Sequence, residues 1–287
     1  MGRDRPRLVV ANTSCLHDAV RPACEAWLES SGAGSRADVT LIDATTELED
    51  EETLVRLLEA SGADAYVNGG GVQPSDPSRL PRLLAVTKAS SGYEDLPLEA
   101  FTAAGIGACN APVRELTESV ADHTFGLITS LARRVPEMAA RVASGRGHDG
   151  YVGSMLWRKT LGIIGLGNIG KAVARRARGF DMEVLAVTPT HGGPETLRAT
   201  AAFAAQHGVE LLPLPELLAR SDVVSLHGRL EPGMSAEEQV IIGAAELAMM
   251  KPTAVLINTA RQAMVDEAAL AAALADGTIG GAALDVK

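Results

Sequence analysis

Thr160-Leu161-Gly162-Ile163-Ile164-Gly165-Leu166-Gly167-Asn168-Ile169-Gly170 is an apolar run that breaks into three spaced glycines and continues as Lys171-Ala172-Val173-Ala174-Arg175-Arg176-Ala177. The run is short and rich in β-branched residues, so it reads as a parallel strand covered on both faces, then a tight turn, then a helix. Gly165 permits the sharp turn, Gly167 lets backbone approach a pyrophosphate, and Gly170 lets the helix pack close to the strand. The N–H groups at the helix start face an anion. A glycine pattern that follows a strand and opens a helix meets the condition for a dinucleotide fingerprint, against the alternative of a bland glycine turn. The candidate cofactor contacts in this stretch are Gly165, Gly167, Asn168, Ile169 and Gly170.

The 287 residues suffice for two domains, and the 46% hydrophobic content is that of a globular protein. A formal net charge of −10, with acidic and basic residues interspersed, leaves no basic stripe of the kind nucleic acid demands. Cys15, Cys24 and Cys109 have no CxxC or histidine-rich companion, so neither a disulfide framework nor a metal site is indicated. Met1 to Pro6 runs into a strand-like Leu8-Val9-Val10 without a signal-type apolar region, and no apolar stretch reaches the length of a membrane span. A soluble, cytoplasmic protein with reduced thiols is expected.

Short apolar runs alternate with helical patterns along the chain. Arg7 to Ala11, Val39 to Ile42, Ala65 to Val67 and Leu83 to Val86 read as strands, with helices over about Asp18 to Ser30 and Asp50 to Ala60. Asn68-Gly69-Gly70-Gly71 and Ser90-Ser91-Gly92-Tyr93 close two of these strands, and loops beyond strand C-termini bind ligands in such sheets. Plain loop geometry is the competing reading of both. Glu115 to Arg134 is one long helical pattern, fit for a core or a subunit contact, and His123 on it reads as a hydrogen-bonded interior or interface group. Ser144 to Gly150 reads as a surface loop. Glu183 to Val187, Val223 to Leu226, Ala254 to Asn258 and Gly281 to Asp285 read as later strands, and Glu267 to Ala275 as a helix. At the end of the second strand of a dinucleotide-binding sheet an acidic residue ordinarily takes the adenosine ribose hydroxyls; here that place is Thr188, so the choice between NAD and NADP stays open.

Three blocks in order now carry a likeness: the glycine turn; Ser221-Asp222-Val223-Val224-Ser225-Leu226-His227; and Met250 to Arg261, followed by Val265-Asp266-Glu267-Ala268-Ala269-Leu270 and Ala282-Ala283-Leu284-Asp285-Val286. The chain resembles the D-isomer-specific 2-hydroxyacid dehydrogenases, including phosphoglycerate dehydrogenase-like members. The first half matches more loosely, through Ser91 to Leu98, Gly105-Ile106-Gly107, Asn110-Ala111-Pro112 and the Ser119 to Arg134 helix. The resemblance implies an α/β fold of two doubly wound parallel-sheet domains with a cleft between them. Residues 1–112 would form a flavodoxin-like substrate domain and residues 113–287 a Rossmann NAD(P)-binding domain.

The implied reaction is hydride transfer between NAD, with NADP not excluded, and C2 of a small 2-hydroxy or 2-keto acid. Arg261 matches the arginine that binds the substrate carboxylate and keto oxygen, a task suited to a bidentate guanidinium. Asp285 matches the residue that receives the nicotinamide carboxamide. Thr188, His227, Gly228, Thr259 and Ala260 fall at further cofactor positions, and backbone at Asn68, Gly69, Gly70, Ser91 and Gly92 would meet the substrate carboxylate. A family that is commonly dimeric implies a homodimer through the long helix.

Departures accompany the matches. Arg229 stands where the family usually has proline, Gln262 follows the arginine in place of glycine, and Ser90-Ser91-Gly92 replaces a glycine loop, so the substrate stays open. The resemblance places an acid–base glutamate and histidine further along than Lys287, and an ordinary C-terminus beyond this sequence is the expected reason. The alternative is a nicotinamide-binding sensor or interaction protein that keeps the fold without turnover.

Overall fold

The computed structural model describes residues 7–12, 26, 29, 30, 38–43, 50–68, 72–147, 150, 152–187, 193–230 and 234–286. The expected helix over Asp18 to Ser30 lies outside these except at residues 26, 29 and 30, which are helical. The chain divides into two compact units, Met1–Val113 and Arg114–Lys287.

In the first unit, strands β1 (Arg7–Asn12), β2 (Asp38–Asp43), β3 (Ala65–Asn68), β4 (Ala85–Lys88) and β5 (Gly107–Asn110) form a parallel sheet in the order β2-β1-β3-β4-β5. This is the flavodoxin-like order, with its switch point between β1 and β3. Helix α1 (Glu51–Ser61) starts where the Asp50 carboxylate accepts the Thr53 N–H at 2.7 Å, and ends where Gly62 turns left-handed at φ 59°. Its Leu54, Val55 and Leu58 are buried in one cluster with Val9, Tyr66, Val86 and Phe101, the last carried by helix α2 (Leu98–Ala103). Each such side chain contributes about 1.5–3 kcal/mol by leaving water. The fourth strand begins two residues later than its apolar run. Leu83 is buried before it, its N–H closing a turn onto the Leu80 carbonyl at 2.9 Å.

The second unit opens with α3 (Arg114–Ala132), which stops short of the expected Arg134 because Arg134 itself adopts a left-handed conformation at φ 52°. A further helix, α4 (Val135–Ala143), follows with a proline in its first turn. Then come β6 (Thr160–Ile164), α5 (Asn168–Ala177), β7 (Glu183–Val187), α6 (Pro194–His207), β8 (Val209–Leu211) and α7 (Leu214–Arg220). The remainder is β9 (Val223–Leu226), α8 (Ala236–Gln239), α9 (Ala244–Met249), β10 (Val255–Asn258), α10 (Glu267–Ala275) and β11 (Gly281–Leu284). All strands are parallel, in the order β11-β10-β9-β6-β7-β8, the Rossmann arrangement with β6 at the reversal.

Every residue of β6 is buried, and its alternation decides what lies on each face. Leu161 and Ile163 join Phe125 and Ile128 of α3 and Val173 of α5 in one cluster, while Ile164 joins Leu185, Leu217, Val224 and Leu256 in another. Gly162 sits so close to α7 that a Cβ there would lie 2.6 Å from a methyl of Leu217. The apolar side of α3 is therefore part of the core, and Glu118 and Asp122 on its flank each meet Arg176 of α5 at 2.7 Å. At the N-terminal edge of the sheet Asp222 accepts from the Thr160 backbone at 2.9 Å and from Lys251 at 3.2 Å. Burial works against that carboxylate, yet these donors and Lys159 hold it below the usual range. No helix among the described residues is long and apolar enough to cross a membrane.

Candidate functional site

The turn between β6 and α5 lies where the strand order reverses. Gly165 donates to the Val187 carbonyl at 3.0 Å on one side, and His227 donates from its backbone to Ile164 at 2.8 Å on the other. A ligand crevice opens above such a reversal. The three glycines answer to different neighbours. Gly165 has φ 102°, and a Cβ there would lie 2.6 Å from the Gly228 nitrogen; a Cβ at Gly170 would lie 2.1 Å from the Gly165 carbonyl oxygen. Packing within the protein demands both. A Cβ at Gly167 would meet nothing within 4 Å, and this glycine is exposed as the N-cap of α5, with no side chain capping the helix. The protein's own atoms leave room beside Gly167 next to an uncapped helix N-terminus, which fits a pyrophosphate. Asn168 is also exposed, Ile169 is half-buried and Gly170 is buried. Thr188, which follows β7, lies outside the described residues.

At the C-terminal ends of β9, β10 and β11 the chain is held by a set of polar contacts. The His227 ring is buried, with Nε2 2.8 Å from the Ser225 hydroxyl and Nδ1 without a partner among the described residues. Burial pushes its pKa down to about 3, so the ring is neutral. Its backbone and that of Gly228 lie against Gly165. Asn258 shapes the loop after β10: its amide donates to the Arg261 carbonyl at 2.8 Å and its carbonyl oxygen accepts the Ala260 N–H at 3.0 Å. Thr259 and Ala260 are buried within this loop. The half-buried Arg261 donates from Nη1 to the Ala260 carbonyl at 2.8 Å. Asp285, just past β11, donates its backbone N–H to Asn258 at 2.9 Å, which places it beside Thr259.

Two residues of α3 reach these strand ends. Thr124 meets the Thr259 hydroxyl at 3.1 Å, and His123 Nε2 lies 3.1 Å from Asp285 Oδ1. His123, expected as an interior or interface group, is half-exposed, with its ring beside the Asp285 carboxylate. Sequence reasoning assigned no role to Asn258, Ser225 or Thr124. A single polar residue closing an apolar strand was the available signal for Asn258; nothing local marks the other two.

In the first unit Asn68 ends β3 fully buried, and its amide donates to the Val72 carbonyl at 2.9 Å. The segment after β4 is braced beside it: Ala89 donates to the Asn68 carbonyl at 2.7 Å, Asn110 to the Ser91 carbonyl at 2.8 Å, and Ala111 to the Ser90 carbonyl at 2.9 Å. Asn68, Ser91 and Gly92 thus sit at neighbouring strand ends, while Gly69 and Gly70 lie outside the described residues. Among the described residues no group of three or more His, Cys, Asp or Glu could hold a metal, and Cys109 is exposed and free.

Residues 125–287 match the family model described as D-isomer specific 2-hydroxyacid dehydrogenase, NAD binding domain. A glyoxylate reductase of Korarchaeum cryptofilum is 40% identical over 211 residues, which are 72% of this chain and 60% of that protein. The matched part therefore spans under two thirds of that relative's length. A glyoxylate/hydroxypyruvate reductase B of Pectobacterium carotovorum is 39% identical over 246 residues, 84% of this chain and 73% of the relative. Among solved structures, the apo D-lactate dehydrogenase of Escherichia coli aligns over 98% of this chain and 82% of its own, with a TM-score of 0.78 and 28% identity. Both parallel sheets and the glycine turn agree with these likenesses, and the chain belongs to the D-isomer specific 2-hydroxyacid dehydrogenase family.

Proposed function

We propose that the protein is an oxidoreductase that moves a hydride between NAD, with NADP as the competing cofactor, and C2 of a small 2-hydroxy or 2-keto acid. The observation that carries this reading is the open space beside Gly167 at the uncapped start of α5, flanked by two glycines that the protein's own packing requires. When bound, the nicotinamide supplies the carbon that gives or takes the hydride.

The chain's own residues bind and orient. The Gly165 to Gly170 turn would seat the pyrophosphate, and Thr188, which follows β7 in the sequence, would take the adenosine ribose. The backbone of His227 and Gly228, with Thr259, Ala260 and Asp285 at the ends of β9, β10 and β11, would hold the nicotinamide. Arg261 would pair with the substrate carboxylate and polarise the keto oxygen. In the first unit, the backbone at Asn68, Ser91 and Gly92 would offer N–H groups to a carboxylate. The two curated relatives are named for glyoxylate and hydroxypyruvate, which favours a two- or three-carbon keto acid here.

The experiment is to follow oxidation of NADH and NADPH with glyoxylate and hydroxypyruvate, then to compare Arg261→Ala. Turnover by the wild type, with kcat/KM lowered at least ~100-fold in the variant and NADH affinity unchanged, supports the roles given. Unimpaired turnover in the variant refutes the role of Arg261. Cofactor binding without turnover in the wild type favours the sensor reading.

A cytoplasmic homodimer completes the proposal. The core burial of α3 leaves its neighbour α4 as the surface for a second copy: α4 buries none of its residues, and Val135 and Val142 are exposed, as are Val152, Met155 and Trp157. Exposed apolar groups gathered on one part of the chain mark interfaces. Sedimentation at the mass of two chains supports this, and sedimentation at the mass of one refutes it.

A further inference from the structure

We propose that His123 is a positioning residue for Asp285, holding its carboxylate in the orientation that receives the carboxamide of a nicotinamide cofactor. The inference rests on reading the ends of β9 to β11 as the nicotinamide side.

The backbone of Asp285 is already fixed, because its N–H continues the ladder onto the Asn258 carbonyl at 2.9 Å. What remains free in an aspartate so placed is rotation of the carboxylate. His123 Nε2 lies 3.1 Å from one oxygen, Oδ1, which leaves Oδ2 to accept an amide N–H. The ring is itself held in place by its chain neighbour. Thr124 is fully buried and meets the Thr259 hydroxyl at 3.1 Å, so consecutive residues of α3 grip consecutive positions across the ends of β10 and β11.

The His123 and Asp285 side chains are 50% and 45% exposed. A polar side-chain contact this exposed adds little to folding. A contact that does little for stability but fixes one rotatable carboxylate at a ligand site acts through the ordering a ligand no longer has to impose. Serving as a fold-stabilising staple, like the more buried Glu118 contact to Arg176, does not suit it.

The test measures dissociation constants for NADH and for ADP-ribose, which lacks the nicotinamide, in wild type, His123→Ala, His123→Gln, Asp285→Ala and the double alanine variant. Expected is a three- to tenfold (about one side chain's ordering) weakening of NADH binding in His123→Ala with ADP-ribose unchanged. His123→Gln, whose amide can donate from a similar position, restores NADH affinity, and His123→Ala adds nothing in the Asp285→Ala background. Unchanged NADH affinity in His123→Ala, a parallel loss of ADP-ribose, or additive effects in the double variant overturns the proposal. If Asp285→Ala weakens NADH binding while His123→Ala does not, only the positioning role falls. If Asp285→Ala leaves NADH binding intact, the nicotinamide-side reading falls and the positioning role with it.

Discussion

The Thr259 hydroxyl donates to that of Thr124 across 3.1 Å, since the Thr124 proton is committed to the Val120 carbonyl at 2.8 Å. The bond joins α3 to the loop that carries Arg261, and both threonines are buried. Thr124→Val keeps the side-chain shape but leaves the Thr259 hydroxyl without its acceptor. The expected loss is about 1–3 kcal/mol, read as a lowered unfolding temperature, with Thr124→Val/Thr259→Val recovering most of it. A single variant as stable as the wild type would show that Thr259 has another acceptor.

The glycines of the turn separate fold from ligand. Gly165→Ala is strained at φ 102° and drives a methyl into the His227–Gly228 backbone, so stability drops by at least about 1–2 kcal/mol. Gly167→Ala meets no protein atom and has an ordinary φ of −80°. Its unfolding temperature is expected to match the wild type, while ADP-ribose binding weakens roughly tenfold or more, about 1.4 kcal/mol. Full affinity in Gly167→Ala would move the pyrophosphate elsewhere.

His227 makes the second unit acid-sensitive. Its folded pKa, lowered to about 3 by burial, lies below the unfolded value of about 6.5, so the unfolded state binds the extra proton first. Stability is full above the unfolded pKa and is lost as pH falls from there toward the folded one. Between pH 7 and pH 4 this amounts to about 3 kcal/mol at 1.36 kcal/mol per pKa unit. His227→Phe, which cannot take the proton, is expected to lose that much less stability over the same range in denaturant titrations at the two pH values. Parallel losses in variant and wild type would place the titrating group elsewhere.

Much of the framework is legible in the chain because its signals are local. Glu183–Val187 and Val223–Leu226 are compact apolar runs, and both are strands with those bounds. The helix read from about Asp50 to Ala60 is α1, with Asp50 as its N-cap. Where local signals weaken, the reading slips. Gly107-Ala-Cys-Asn110 has little strand propensity and becomes β5 only by pairing with β4 at the sheet edge. The apolar pattern toward Arg134 gives no warning that two arginines break it, because the break depends on one left-handed residue. The exposed residues of α4 carry no burial pattern within this unit to read.

The sequence by itself determined the strand–turn–helix at Thr160 to Ala177 and the alternation of strands and helices, since glycine freedom and apolar periodicity act over a few residues. The resemblance of the blocks that carry them pointed to Arg261, past β10, and Asp285, just past β11, as candidate site residues. Only the tertiary structure decided that the His227 ring turns inward to Ser225, and that Gly167, alone among the three glycines of the turn, has open space beside it. Tertiary packing likewise set the partners of α3. Thr124 and Thr259 stand 135 residues apart, and no local preference specifies such a meeting. It follows from how α3 packs its Phe125 and Ile128 on the β6 face of the sheet, which brings Thr124 to the loop after β10.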